Sequence, residues 1–137
     1  MAPYRLDDQF GFVLRLAAQR HAGLFEAGMI EGLTAPQFAL LVRLREVGPC
    51  SHQRLGRLLH LDLPTVKGVI DRLTGRGFVL SADDPLDKRR QAAGLTERGL
   101  AVADAAIEAS RAITQRTLEP LTPGEGAQLV ALLQKLT

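Results

Sequence analysis

Residues 51–95 have the sequence SHQRLGRLLHLDLPTVKGVIDRLTGRGFVLSADDPLDKRRQAAGL, and this stretch decides the fold. Leu55, Leu58 and Leu59 recur at the spacing of a helix with one apolar side. A tight connection then leads to Pro64, which suits the first turn of a second helix. The stretch therefore predicts two short helices joined by a turn.

The second of these helices has two different faces. Val66, Val69, Ile70 and Leu73 recur on one side of it, as expected of residues that pack inward. At about 100° per residue, the opposite side is small or polar, with basic residues at its edges. This outward face consists of Pro64, Thr65, Lys67, Gly68, Asp71, Arg72 and Gly75. Gly77 follows and can take the positive φ that ends a helix.

A hairpin with a charged tip follows the second helix. Phe78, Val79 and Leu80 predict a short strand, residues 83–90 predict a turn, and residues 91–95 return as a second strand. The returning strand is weak in β-forming residues. Helix, turn, helix and charged hairpin together predict a winged helix-turn-helix, in which the hairpin is the wing.

At this point the chain resembles the MarR family of bacterial transcriptional regulators. The motifs that carry the resemblance are Leu33-Thr34 with Gln37-Phe38, Leu61-Asp62-Leu63-Pro64-Thr65-Val66, Asp71-Arg72-Leu73, Gly77-Phe78-Val79, Asp87-Lys88-Arg89-Arg90 and Leu95-Thr96-Glu97-Arg98-Gly99. They stand in the family's order and spacing, and the match covers almost the whole chain. One departure is Leu80-Ser81, where relatives often carry a basic residue. The resemblance implies a mainly α-helical fold with long N- and C-terminal dimerisation helices and a small β-hairpin wing.

Long amphipathic helices flank the winged helix. One is predicted over residues 6–29, and Thr96 and the capping boxes at Thr34 and Thr122 begin later ones. Their apolar stripes include Phe10, Leu14, Ala17, His21, Leu24 and Phe25 before the motif, and Val102, Ala106, Ala109 and Ile113 after it.

We expect one domain over residues 1–137, with 34–99 as the DNA-binding lobe and 1–32 and 100–137 as dimerisation helices. Apolar stripes without an obvious partner in the same chain predict burial against a second copy. The alternative is that these helices pack on one another within the chain. A homodimer would match a pseudo-palindromic operator whose half-sites lie about one turn of double-stranded DNA apart.

Composition agrees with this interpretation. The 137 residues are 46% hydrophobic but only 4% aromatic, which suits helices. Residues 51–98 carry nine Lys and Arg against six Asp and Glu, whereas the remainder carries eight against nine. A modestly basic segment on a neutral body indicates contact with a polyanion. The lone Cys50 and the absence of a signal peptide or membrane span predict a cytoplasmic protein.

Several residues are candidates for DNA contact. Gly68 would let the backbone approach a base edge, and Thr65, Lys67 and Arg72 could bind phosphates or bases. The full candidate set is Arg54, Thr65, Lys67, Gly68, Asp71, Arg72, Arg76, Asp87, Lys88, Arg89 and Arg90. The family resemblance implies that Arg89 enters the minor groove and that Asp87 is the acidic partner that orients the wing. The alternative is an ordinary solvated helix face.

The resemblance also implies a small aromatic carboxylate as effector, bound between the dimerisation helices and the lobe. Arg15 resembles the arginine that grips the carboxylate in aromatic-acid-responsive members, and His21 and Phe38 complete the candidate ligand site. Arg15 could instead be a surface ion-pair partner, and His21 an interface histidine. His21, His52 and His60 have no metal-ligand spacing, and the chain has neither a phosphate-binding glycine loop nor a nucleophile–base motif. We therefore expect no metal, no cofactor and no catalytic site.

The predicted function is therefore a ligand-responsive repressor of a catabolic operon that an aromatic carboxylate releases from DNA. Two alternatives stay open within the same class, a redox-responsive regulator and a constitutive one. A third, from a different class, is a winged-helix module that docks a partner protein through its basic face.

Overall fold

The computed structural model describes residues 2–137. After a 3-10 turn at Leu6–Asp8, its elements are α1 (Phe10–Gly28), α2 (Ala35–Val47), β1 (Cys50–Ser51), α3 (His52–Leu59), α4 (Leu63–Gly75), β2 (Val79–Asp83), β3 (Gln91–Leu95), α5 (Glu97–Thr117) and α6 (Pro123–Gln134). This confirms a mainly α-helical winged helix-turn-helix. Within residues 2–137, no helix has the length and apolar character needed to cross a bilayer.

The chain divides into two compact units. One, here the winged-helix unit, is Ile30–Glu108. The other, here the helical unit, comprises the residues up to Met29 together with Ala109–Thr137. The predicted boundaries at 34–99 and 100–137 differ from this division, because the start of α5 belongs to the winged-helix unit.

The core of the winged-helix unit is mostly aliphatic, together with Phe78. Its buried hydrophobic residues are Leu33, Leu40, Leu41, Leu44, Cys50, Leu55, Val66, Val69, Ile70, Leu73, Phe78, Val79, Ala92, Ala93, Val102, Ala103 and Ala106. The four residues predicted to face inward from α4 are all among them. Leu58 and Leu59, predicted to face inward from α3, are only half-buried.

The sheet has three strands in the order β1-β3-β2, all antiparallel. Cys50 pairs with Ala93 and Ser51 with Ala92, a two-residue strand that the sequence did not predict. Because β3 is the central strand, Ala92 and Ala93 are buried. Small residues there let the neighbouring elements pack closely, so their low β-propensity is offset by burial.

The capping boxes that begin α2 and α6 form as predicted. The Thr34 hydroxyl accepts from the Gln37 backbone N–H at 3.3 Å, and the Gln37 side chain accepts from the Thr34 N–H at 3.0 Å. Thr122 and Glu125 make the same reciprocal pair. The first helix starts later than predicted, because the extended backbone of Gln9 separates the 3-10 turn from α1.

In the helical unit, α1 and α5 approach closely at Gly28. A Cβ there would lie 2.9 Å from Cγ1 of Ile113, which is buried. The Arg20 guanidinium donates to the carbonyl of Thr117 and, at 2.8 Å, to that of Arg116. These contacts cap the C-terminal end of α5, where carbonyls lack helical partners.

The predicted burial of the α5 stripe against a second copy needs correction. Val102, Ala106 and Ile113 are already buried within their own chain, and Ala109 is half-buried. The intrachain alternative therefore holds for most of this stripe. The apolar stripe of α1 is not fully covered by its own chain, since no residue of α1 is buried. Its burial against a second copy therefore stays a prediction.

A tight junction joins the end of α4 to the start of α5. The Thr96 hydroxyl donates to the Gly77 carbonyl at 2.6 Å and accepts from the Gly99 N–H at 2.9 Å. The Thr96 N–H donates to the Phe78 carbonyl at 3.1 Å. A Cβ on Gly99 would lie 1.9 Å from that same Phe78 oxygen, so only glycine fits at this position.

We predict that Gly99→Ala lowers the free energy of unfolding by about 3 kcal/mol or more, because the backbone of Phe78 must move. Gly124→Ala is the matched control, since Gly124 also lies in a first helical turn and a Cβ there would meet no atom within 4 Å. Urea unfolding midpoints measure both. Equal midpoints for the two variants would contradict the steric role of Gly99.

Candidate nucleic-acid interface

The connection between α3 and α4 sets the start of α4. His60 takes a left-handed conformation at φ 55° and ends α3. The Asp62 carboxylate then caps α4 by accepting from the Thr65 N–H at 2.8 Å. Bonds from the Thr65 side chain and then its backbone hold the pKa of Asp62 below its ordinary value. Thr65, a predicted DNA contact, therefore has its backbone N–H bonded to Asp62.

The outer face of α4 is open to solvent. Thr65, Lys67, Asp71 and Arg72 are exposed and Gly68 is half-buried between them. A Cβ added to Gly68 would meet no atom within 4 Å. Packing inside the chain therefore does not require glycine here, although glycine in a helix interior costs about 1 kcal/mol relative to alanine. A partner molecule that approaches this face closely would explain the glycine at position 68.

The wing holds one arginine in a defined position. The backbone N–H, Nε and Nη2 of Arg89 all donate to the Asp87 carboxylate, at 3.0, 3.1 and 3.3 Å. The Arg89 side chain is nevertheless 90% exposed. Bonds from the Arg89 side chain and backbone, followed by the charge of Arg90, lower the pKa of Asp87. Asp87 thus orients a solvent-facing guanidinium.

Lys88 and Arg90 complete the basic surface of the wing. Both are exposed, and the Arg90 Nε lies 3.7 Å from the Asp87 carboxylate. They share a shallow depression with Ser81, Ala82, Asp83, Arg89 and Gln91. The wing therefore presents three cations beside one another.

Two predicted DNA contacts, Arg54 and Arg76, are only half-exposed in the winged-helix unit. Arg76 lies 3.3 Å from the Glu31 carboxylate, and its guanidinium carbon is 4.8 Å from the centre of the Phe78 ring. Arg54 is half-buried in α3, where it acts to lower the pKa of the Cys50 thiol. Their roles in DNA binding stay predictions, and Arg76 would have to leave its contact with Glu31 to reach DNA.

His52 is a neighbour of this surface that the sequence did not single out. It is the first residue of α3 and half-buried. Burial lowers its pKa first and the charge of Lys67 lowers it further, while Asp71 raises it. Two charges of the outer face of α4, Lys67 and Asp71, thus act on His52. Its position depends on the packing of α3 on α4, which no local pattern reveals.

Cys50 lies in the core rather than at the surface. Burial raises the pKa of its thiol, against the opposing effect of Arg54. A buried thiol of raised pKa contains little of the reactive thiolate. Among residues 2–137, no cluster of histidine, cysteine and acidic side chains could hold a metal ion.

The candidate ligand residues lie in both units. Arg15 is exposed on α1, with its guanidinium carbon 5.4 Å from the Phe12 ring centre. Among the residues that the structure describes, no carboxylate lies within ion-pair distance of Arg15. His21, also on α1, has Nδ1 2.9 Å from the Thr117 hydroxyl. Phe38 is half-buried in α2 of the winged-helix unit. Their common role stays a prediction.

Comparison with known proteins identifies the family. The model of the MarR family matches residues 33–90. The HTH-type transcriptional repressor NicR of Pseudomonas putida is 36% identical over 135 residues, which are 98% of this chain and 85% of NicR. The chain belongs to the MarR family.

Two similar solved structures extend the match to the fold. A probable transcriptional regulator from Pseudomonas aeruginosa is 47% identical, with a TM-score of 0.91 over 97% of this chain and 100% of that one. BpsR of Bordetella bronchiseptica is 37% identical, with a TM-score of 0.90 over 98% and 97% of the two chains. The BpsR structure concerns the regulation of its DNA binding by 6-hydroxynicotinic acid. The wing and α4, here the recognition helix, thus belong to a transcriptional regulator.

Proposed function

We propose that this protein is a ligand-responsive repressor that binds operator DNA as a homodimer and is released by a small aromatic carboxylate. The observation that carries the DNA-binding part is the pairing of Asp87 with a fully solvent-facing Arg89, beside a recognition helix whose outer face is open. Both the Arg89 guanidinium and the outer face of α4 are exposed to solvent and can contact DNA.

The recognition helix suits the major groove. Lys67 and Arg72 can bind phosphates from the edges of its outer face, while Gly68 lets the helix lie close to the base edges. Asp71 can accept from the amino group of cytosine. The wing suits the adjacent minor groove, whose negative potential attracts an inserted arginine. DNA contact would thus involve both grooves.

The helical unit supports a homodimer. Its exposed large apolar residues include Phe10, Val13, Leu14 and Leu16 on α1 and Leu129, Val130, Leu132 and Leu136 on or after α6. Exposed apolar surface on this scale is typical of an interface. A second copy is the natural partner, because two-fold symmetry makes the same surfaces complementary. It would also place two recognition helices on a pseudo-palindromic operator.

The effector proposal depends on Arg15. Its guanidinium is always charged and offers a planar pair of donors that fits a carboxylate. An aromatic ring could pack on Phe38, and His21 could hydrogen-bond a ring substituent. The regulation of BpsR by 6-hydroxynicotinic acid favours a hydroxypyridine carboxylate. NicR, named a repressor, favours repression as the mode of action. A catabolic operon is the natural target, since the effector would then be the compound that the encoded enzymes degrade.

The alternatives have less support. A redox-responsive regulator would need a reactive thiol, and Cys50 is buried with a raised pKa. The similarity of this chain to transcriptional regulators argues against an enzyme. A constitutive regulator would bind DNA without responding to any acid. A protein-docking module would show no steep salt dependence on mixed-sequence DNA, whereas phosphate contacts impose one.

The wing arginine gives the first test of DNA binding. We predict that Arg89→Ala weakens binding at least about tenfold, equal to about 1.4 kcal/mol, on a duplex selected by the wild-type protein from a random pool. Fluorescence anisotropy measures the affinity. Arg43→Ala is the control, because Arg43 is a surface arginine paired with Glu46 on α2. Wild-type affinity in Arg89→Ala would contradict the minor-groove role.

The dimer is tested on exposed apolar residues. We predict that Leu14→Glu and Leu132→Glu shift the protein toward monomer and lower its melting temperature, because each places a charge in the interface. Leu100→Glu is the matched control, since Leu100 is equally exposed but lies in the winged-helix unit. Sedimentation velocity gives the mass. A stable dimer in both interface variants would mean that the copies meet elsewhere. Ile113 is unsuitable for this test because it is buried within the chain.

The effector is tested with 6-hydroxynicotinic acid and benzoate. We predict that one of them raises the melting temperature and releases DNA, since a ligand shifts affinity only by preferring one arrangement. Arg15→Ala should abolish both effects and leave DNA binding intact. Arg15→Lys should restore only part, because a point charge lacks the guanidinium fork.

Two outcomes would contradict the effector proposal. If Arg15→Ala responds as the wild type does, other residues bind the carboxylate. If the wild type responds to neither acid, the effector belongs to another chemical class. Arg43→Ala again serves as the control and should respond normally.

A further inference from the structure

The tip of the wing carries an apolar side chain as well as cations. Leu86 is 82% exposed, more than any other large hydrophobic residue that the structure describes. It lies three residues before Arg89, on the same turn of the hairpin. Because this leucine contributes nothing to the core, its side chain is free to contact a partner outside the chain.

The backbone holds Leu86 in place. The Asp84 carboxylate accepts from the Leu86 N–H at 2.9 Å, and Asp84 itself is only 5% exposed. Pro85, with its fixed φ, stands between them. The Asp87 carboxylate holds the Arg89 N–H in the same manner, at 3.0 Å. Asp84 and Asp87 thus each hold the backbone N–H of the residue two positions later, which lowers the conformational entropy that this part of the wing loses on binding.

We propose that Leu86 is a DNA contact that packs on the deoxyribose walls of the minor groove beside Arg89. The inference rests on the proposed function, because it takes the wing to be the part that enters the minor groove. The walls of that groove are sugar C–H groups, which an apolar side chain can contact without entering the base stack. The cations of the wing, Lys88, Arg89 and Arg90, make a polyanion the fitting partner for this tip.

The salt dependence of binding separates this contact from an ionic one. Removing a cation that binds a phosphate or lies in the groove reduces counterion release, and the slope of log affinity against log salt falls by about one. An apolar contact releases no counterions. Its removal lowers affinity by the same factor at every salt concentration.

The test uses the full chain and a duplex selected by the wild-type protein from a random pool. Affinity is measured at several salt concentrations for the wild type, Leu86→Ala, Leu86→Met and Leu100→Ala. Leu100 is the matched control, because it is an exposed leucine of the same unit. The expected result is a loss of about fivefold to tenfold for Leu86→Ala with an unchanged slope. Leu86→Met and Leu100→Ala should bind as the wild type does.

The melting temperature excludes a structural explanation. Because Leu86 is so exposed, Leu86→Ala should melt as the wild type does. Wild-type affinity in Leu86→Ala, a changed salt slope, or a lowered melting temperature would each overturn the contact. A wild-type protein without salt-dependent DNA binding would overturn the proposed function itself, and this contact with it. The two failures are therefore distinguishable.

Discussion

Val66, Val69, Ile70 and Leu73 pack the inner side of the recognition helix into the winged-helix core. Burying each such side chain contributes about 1.5–3 kcal/mol, and truncating one to alanine typically costs 2–5 kcal/mol when it is as large as isoleucine or leucine. The helix can therefore neither rotate nor slide without losing much of the stability of the unit. Its outer face is fixed by what its inner face buries, so Lys67, Gly68 and Arg72 are presented in one orientation.

The elements around this helix depend on the same packing. Thr96 hydrogen-bonds Gly77 and Phe78, where the recognition helix ends and the wing begins, and Gly99 fits only because it lacks a side chain. The start of α5 is thereby tied to the end of the recognition helix. At the wing tip, Asp87 holds Arg89 by hydrogen bonds that last while the carboxylate is ionised. Since the pKa of Asp87 is lowered, these bonds are present at neutral pH and are lost only as the pH falls through that lowered value.

The amphipathic character of the recognition helix made it predictable from sequence. A run of residues at helical spacing reports which side is buried, and its ends carried the recognised signals of Pro64 and Gly77. The strand β1 could not be predicted, because two residues carry no periodicity. The central place of β3 was equally hidden, since Ala92 and Ala93 become strand residues only through what packs on them.

The candidate site was predictable to a different degree in each part. The family resemblance implied that Asp87 orients the wing, and its pairing with Arg89 is local in sequence. The neighbourhood of His52 and the engagement of Arg76 by Glu31 depend on residues far apart in sequence, so no pattern indicated them. Likewise, the periodicity of α5 showed that Val102 and Ala106 are buried but not that their own chain buries them. Sequence patterns give the apolar face of a helix and leave its partner open.

The central claim is that the outer face of the recognition helix is shaped for DNA and not for the chain. Gly68→Ala tests it directly, with unfolding and DNA affinity measured on one preparation. We predict a free energy of unfolding raised by about 0.5–1 kcal/mol, because alanine favours the helix and meets no atom of the chain. We also predict weaker binding to the selected duplex, because the added methyl group lies between the helix and the bases. Unchanged or tighter DNA binding in the stabilised variant would contradict the claim.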